Sequence, residues 1–206
     1  MRKSLLLAIL ACLVLQAGTA LAQVQGVELI PFGGYRFSSG LSSIAGVDID
    51  AKDAPVYGVS LDARMAYNTA VEIYYGHWRG DLEIRSLSGV TKGEFGRDDI
   101  MINGVWYAMR PGAMTRPYFT AGLGCAIYSA PRASTTGRFA WDIGAGIRHD
   151  FNERMGLRVD GRYMPTWVTT GTSVWCDPFY CYPVSSGEFF DQFEVTGGLV
   201  IKLGSM

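Results

Sequence analysis

The chain has 206 residues, 49% of them hydrophobic, with 26 glycines and a formal net charge of −1 from 18 basic and 19 acidic residues. That balance excludes the basic stripe that nucleic-acid binding needs, and no stretch beyond the N-terminus is apolar enough for a transmembrane helix of about 20 residues. High apolar content without apolar runs implies hydrophobicity spread by alternation.

The N-terminus reads as an export signal. Arg2 and Lys3 give a positive start, Leu5 to Leu15 an apolar stretch, and Ala20-Leu21-Ala22 a small-x-small cleavage site before Gln23. A lipoprotein cut before Cys12 fits less well, because the apolar run continues past it to Leu15. The expected organisation is a cleaved signal at 1–22 and one domain at 23–206, about 184 residues. Without Arg2 and Lys3, 16 basic residues face 19 acidic ones, a mature charge of about −3.

The mature sequence predicts strands separated by turn chemistry, at about 26–38, 56–66, 69–79, 98–109, 116–129, 139–148, 157–163 and 193–203. In the second, Tyr57, Val59, Leu61, Ala63 and Met65 alternate with Ser60, Asp62 and Arg64. In the fourth, Asn103 is the clearest polar member. In the sixth, Phe139, Trp141, Ile143, Ala145 and Ile147 alternate with Asp142, Gly144, Gly146 and Arg148, and in the seventh Leu157, Val159 and Tyr163 with Arg158, Asp160 and Arg162. In the last, Phe193, Val195, Leu199, Ile201 and Leu203 share one face, and Gln192, Glu194, Thr196, Gly198 and Lys202 the other.

Short turns are expected at Tyr67-Asn68, Arg110-Pro111-Gly112 and Asn152-Glu153, and longer loops at about 39–54, 80–96, 130–137 and 166–189. Short turns on one rim and long loops on the other suit an outer-membrane barrel with its loops outside the cell.

Alternation alone also fits a soluble sandwich. Two features favour a barrel in lipid. Several segments run longer than the 5–6 residues usual for soluble strands, and a tilted bilayer span takes about 9–11. The polar face also has the composition of a narrow lumen. It carries Glu28, Asp62, Glu72, Asp142, Asp160 and Glu194 against Arg36, Arg64, Arg148, Arg158, Arg162 and Lys202, with Gly34, Gly58, Gly76, Gly122, Gly144, Gly146 and Gly198 between them. Balanced signs suit an eight-stranded interior that side chains fill. Tyr35, Phe37, Tyr57, Tyr75, Trp106, Phe139 and Tyr163 lie near strand ends on the apolar face, as an interfacial girdle would. The expected fold is all-β, an eight-stranded antiparallel up-and-down transmembrane β-barrel.

Cys176 and Cys181 bracket Asp177-Pro178-Phe179-Tyr180 in an exported loop, so a disulfide is favoured over two free thiols. Closing so short a loop stabilises it by roughly 2 kcal/mol on the chain-entropy model. Cys125 is left over as a small apolar strand residue.

Three segments carry a resemblance. The opening Glu28-Leu29-Ile30-Pro31-Phe32-Gly33-Gly34-Tyr35-Arg36, the strand Arg116-Pro117-Tyr118-Phe119-Thr120-Ala121-Gly122-Leu123-Gly124 and the end Gly198-Leu199-Val200-Ile201-Lys202-Leu203 together make the chain similar to small outer-membrane β-barrels of the OmpA, OmpW and opacity types. The last segment resembles the C-terminal signal read by the barrel-assembly machinery, although Gly204-Ser205-Met206 follow where many such proteins end in Phe. More narrowly, the chain resembles members with a Cys-x4-Cys pair in the last long loop. The resemblance implies an outer-membrane location, lipid and lipopolysaccharide as surroundings, the assembly machinery as a partner during insertion, and no known reaction.

Some eight-stranded barrels modify lipid A, which needs a nucleophile or base on the outer rim. His77 and His149 fall at opposite ends of the expected barrel, and there is no His-x-Ser arrangement. Asp48, Asp50 and Asp53 alternate like calcium ligands but lack the full spacing, with Lys52 among them. Gly122-Leu123-Gly124 and Gly144-Ala145-Gly146 lack the third glycine and the helix of a nucleotide fingerprint. No catalytic residue, metal site or cofactor is therefore expected. The reading is a monomer with a structural or surface-interaction role and a charge-plugged interior. The alternatives are a narrow channel for small or hydrophobic solutes and, further off, a lipid A-modifying enzyme.

Overall fold

The computed structural model describes residues 24–38, 41–42, 48–65, 68–86, 89–110, 112–129, 136–167, 173–176, 181–183 and 189–205. The expected signal peptide at 1–22 lies outside them.

Eight long strands run in chain order: β1 (Gly26–Ser38), β2 (Ala54–Arg64), β3 (Thr69–Ser86), β4 (Gly89–Tyr107), β5 (Thr115–Ser129), β6 (Thr136–Asp150), β7 (Met155–Tyr163) and β8 (Gln192–Ser205). Each pairs antiparallel with the next, and β8 pairs with β1. The register across that seam sets Leu29 opposite Ile201 and Arg36 opposite Glu194. The sheet is a closed eight-stranded barrel, and no described residue is helical.

Exposure settles which face points in. On β6, Phe139, Ile143 and Ile147 are 55%, 53% and 54% exposed, whereas Asp142 and Arg148, each next to one of them, are 1% and 0% exposed. A soluble sandwich would show the reverse. All seven expected girdle aromatics face outward. From Phe139 to Ile147, a rise of about 3.4 Å per residue and a tilt of about 40° give an apolar band roughly 21 Å tall, against the ~25 Å usual for such barrels.

The short turns share one rim. Gly112 has φ +97°, a left-handed conformation that a side chain would disfavour. At the β6–β7 turn, Asn152 Oδ1 accepts the backbone N–H groups of Arg154 and Met155, both at 2.8 Å.

The opposite rim departs from the expected loops. Residues 80–96, expected as a loop, continue the β3–β4 ladder to Ser86 opposite Gly89. Asp48–Ala51 extends that sheet by pairing with residues 82–85 of β3, and Leu41–Ser42 pairs with Asp48–Ile49. Residue types on this ladder explain both the misreading and the outcome. The β3 row that carries Val71, Ile73 and Tyr75 becomes Arg79, Asp81, Glu83 and Arg85 higher up, with Leu82 and Ile84 in the other row. The ladder is uninterrupted, but in the sequence the apolar residues change parity, which reads as the end of a span. In the last loop, Thr166–Trp167 pairs with Phe189–Phe190, and Ser173–Cys176 with Cys181–Pro183.

Inward glycines set how closely strands and side chains approach. A Cβ on Gly58 would lie 2.0 Å from the Tyr75 carbonyl oxygen and 2.5 Å from Phe32 Cζ, whereas one on outward-facing Gly197 meets nothing within 4 Å. Gly58→Val is expected to lower unfolding stability by about 1–3 kcal/mol or more, with Gly197→Val close to neutral. Urea titration of the heat-dependent gel mobility shift measures both.

Candidate functional site

The barrel interior is the densest array of charged groups among the described residues. Each of the eight strands sends alternate side chains into it, and closure brings together residues far apart in sequence. Three tiers result, stacked along the axis.

At the short-turn rim, Glu28 on β1 is fully buried and takes both terminal guanidinium nitrogens of Arg148 from β6, Nη2 at 2.9 Å, together with Arg64 Nε at 3.2 Å. Arg148 also bonds Asp150, which Arg116 and Lys202 approach at 3.1 and 3.2 Å. The Arg116 guanidinium lies 4.6 Å from the centre of the Tyr107 ring.

The middle tier centres on two arginines of β7. Arg158 reaches Glu72 at 2.7 Å, Asp160 at 3.0 Å and Asp62 at 3.2 Å. Arg162 reaches Glu72 and Asp160 at 2.8 Å and Asp142 at 3.3 Å. Strands β3 and β7 face each other across the barrel, so the Arg162–Glu72 contact spans the lumen. Asn103 Nδ2 donates to Glu72 at 2.8 Å and to Asp142 at 3.1 Å, and Tyr118 OH donates to Asp160 at 2.8 Å. Four carboxylates here face two guanidinium groups. The basic excess of the tier below offsets that imbalance.

In the tier nearest the long ladder, Arg36 spans from β1 to Asp99 on β4 at 2.6 Å and bonds Glu194 on β8 at 2.5 Å. Tyr74 OH donates to the other oxygen of Glu194 at 2.7 Å, and Arg97 closes on Asp99 at 2.7 Å. Apolar residues fill the remaining space, with Tyr74, Met101, Ala126, Ala140 and Met164 packed against Phe32 and Tyr128. The cavity between Ile30, Phe32, Ser60, Tyr74 and Arg162 is about 10 Å³, room for about one water.

All twelve charged residues expected on the inner face lie on it, and every one joins an ion pair. Arg97, Asp99, Arg116 and Asp150 also take part and were not expected. Parity with Asn103 carried the signal for Asp99, inside the expected strand, and for Arg97, one residue before its start. Inward Tyr74 and Tyr118 share parity with Glu72 and Gly122, so the same rule could have found them.

The remaining candidates separate. His77 does not end its strand, which runs nine residues further to Ser86. Its Nδ1 lies 2.7 Å from Asp98 Oδ1 on the outer wall, while His149 bonds Thr115 Oγ1 at 2.8 Å on the other rim. The two histidines do not meet. Asp53 Oδ1 accepts the Ser38 N–H at 3.1 Å, a turn contact, and the side chains of Asp48 and Asp50 lie outside the described residues. The backbone register sets Cys176 opposite Cys181, whose side chains likewise lie outside the described set. Cys125 is unpaired on the outward face of β5.

Removing one partner from a buried, shared network leaves charges unpaired in a dry interior, at a cost of about 3–5 kcal/mol. Arg162→Leu, which leaves Asp142 without a guanidinium partner and Glu72 and Asp160 with Arg158 alone, is expected to lose about that much in urea unfolding. Arg64→Leu, at a side chain 31% exposed, is expected to lose about 1 kcal/mol or less.

Comparison with known proteins agrees with this architecture. The neisserial surface protein A structure covers 86% of this chain and 97% of its own at 13% identity, with a TM-score of 0.61. The outer membrane protein OprG of Pseudomonas aeruginosa covers 89% and 98% at 12% identity, with a TM-score of 0.65. The outer membrane protein AlkL in lipid bilayers covers 89% and 92% at 17% identity, with a TM-score of 0.54. At such identities the likeness is one of fold. No curated protein sequence matches the chain. The family model for the outer membrane protein beta-barrel domain matches residues 5–175. With its closed eight-stranded wall and outward apolar band, the chain belongs to that family and resides in the bacterial outer membrane.

Proposed function

We propose that this barrel is a structural and surface-interaction protein whose interior is closed by its own charge network. One observation carries the reading: cross-lumen ion pairs in all three tiers, with Arg36, Arg148 and Arg162 each reaching a strand on the far side. Filling the lumen with fixed pairs stabilises the wall and leaves the outer rim as the surface offered to partners.

The β3–β4 ladder supports that division. It continues nine residues beyond His77, roughly 20 Å above the lipid boundary at a strand rise of about 3.3 Å and the usual tilt. The wall therefore extends well past the headgroups. In this reading residues 1–22 direct export and are removed, the barrel-assembly machinery inserts the chain, and the mature protein is a monomer among lipid and lipopolysaccharide. It performs no catalysis.

A disulfide between Cys176 and Cys181 pins the last loop. Their opposed positions in a two-stranded ladder bring the two Cα atoms to about 4.5–5.5 Å, within the range a disulfide spans. Alkylation of the unfolded mature protein is expected to modify one thiol without reductant and three with it, read by mass spectrometry.

Conductance tests the closed interior. Purified protein in planar bilayers is expected to show no resolved single-channel steps in molar KCl. Discrete steps from the unaltered protein would replace this reading with the narrow channel. Lipid A extracted from cells with and without the protein is expected to have the same mass; a changed acyl pattern would make the protein an enzyme.

A further inference from the structure

The outer wall carries a second cluster that the lumen does not use. His77 on β3 and Asp98 on β4 are register partners in an outward row, with Nδ1 2.7 Å from Oδ1 and side chains 21% and 28% exposed. Tyr75 OH donates to the same Asp98 oxygen at 2.9 Å, and the Tyr57 ring lies 5.2 Å from the imidazole. Just below, Ile73, Ile100 and Ile102 are exposed to the membrane. An ionisable pair facing hydrocarbon is costly, so the pair sits where acyl chains give way to headgroups.

We propose that His77, Asp98 and Arg79 dock the phosphorylated sugar headgroup of an outer-leaflet lipid against the barrel wall. The inference rests on the outer-membrane placement with the long ladder outside. Arg79 is exposed in the next outward position of β3, and its register partner is Gly96. A Cβ on Gly96 would meet nothing nearer than 3.6 Å, so the surface there is recessed. Arg79 borders the recess on one side and exposed Ser129, the other register partner of Gly96, on the opposite side.

The chemistry of the recess selects a phosphate. Among the described side chains the Asp98 carboxylate is already held by His77 and Tyr75, and the exposed Arg79 carries a guanidinium fork shaped to take a phosphate. With Nδ1 turned to Asp98, His77 Nε2 is the ring nitrogen left for the ligand, and a protonated imidazole donates from both nitrogens, bridging carboxylate and phosphate. Exposed Tyr57 and Tyr75 flank it on the membrane side, where amphipathic rings meet the sugar and the first acyl carbons. A lipid fits better than a free anion, because the apolar wall below takes the chains.

Native mass spectrometry of the full mature protein, purified from outer membranes, tests the site with bis-phosphorylated lipid A and the same lipid stripped of phosphate. The unaltered protein is expected to retain the phosphorylated lipid preferentially. Arg79→Ala and His77→Phe should each weaken it about tenfold, the loss of one charge-assisted contact, and Arg110→Ala on the periplasmic turn should leave it unchanged. Equal binding by the Arg79 and His77 variants, or equal binding of the stripped lipid, would overturn the site. Glucosamine 1-phosphate binding as tightly as the lipid would overturn the lipid assignment. Each variant is first shown to keep its heat-dependent gel shift. An unaltered protein without that shift refutes the membrane barrel itself, a different outcome from a folded barrel indifferent to phosphate.

Discussion

A peptide group in hydrocarbon has no water to bond, so every backbone N–H and C=O in the span must find a partner within the protein. This chain meets that requirement by closing its sheet, and most other features follow from the closure. The β1–β8 seam removes the last free edge, and pairing Arg36 with Glu194 across it joins the wall and the lumen at one register step. Period-two alternation then divides each strand into one row that faces lipid and one that faces seven other inward rows.

The inward rows meet in a space narrow enough for an arginine to span. Arg162 touches residues from β3, β6 and β7, and Arg36 reaches carboxylates on β4 and β8. Such pairs need not make the protein more stable than an apolar filling would, because desolvation offsets much of the attraction. Their effect is on register. A strand slipped by one residue would turn its carboxylates and arginines into lipid, so the network and the alternation specify the same pairing. Tyrosines complete it: Tyr74, Tyr107 and Tyr118 each place a ring within about 6 Å of a guanidinium group, and Tyr74 and Tyr118 donate their hydroxyl to a carboxylate. Large rings fill space that charged groups would leave open.

The outer wall is not uniform. Around most of the circumference it is aliphatic and aromatic, but at β2–β4 it ends in an imidazole–carboxylate pair below an arginine and a glycine recess. In the sequence the apolar residues change parity at that height. Two features with separate physical causes, the position of ionisable groups and the phase of alternation, thus mark the same boundary.

Much of this was legible in the residues. Alternation alone separates the charged row of each strand from its apolar row, because side-chain direction in a strand depends only on parity. Turn chemistry located the short rim for a similar reason: Gly112 and Asn152 act through their own local backbone. The ends of β3 and β4 were not legible. Beyond His77 the apolar residues change parity in the sequence, so a pattern sought at one parity stops while the hydrogen bonding continues. The sequence by itself therefore determined the strand count, the two faces and the membrane as solvent, all of which are local or compositional. Only the tertiary structure decided which arginine meets which carboxylate, that β3 and β7 touch across the lumen, and that His77 meets Asp98 on the wall. Those contacts depend on register and closure, which bring residues about 20 to 160 positions apart within hydrogen-bonding distance and leave no trace in any one segment.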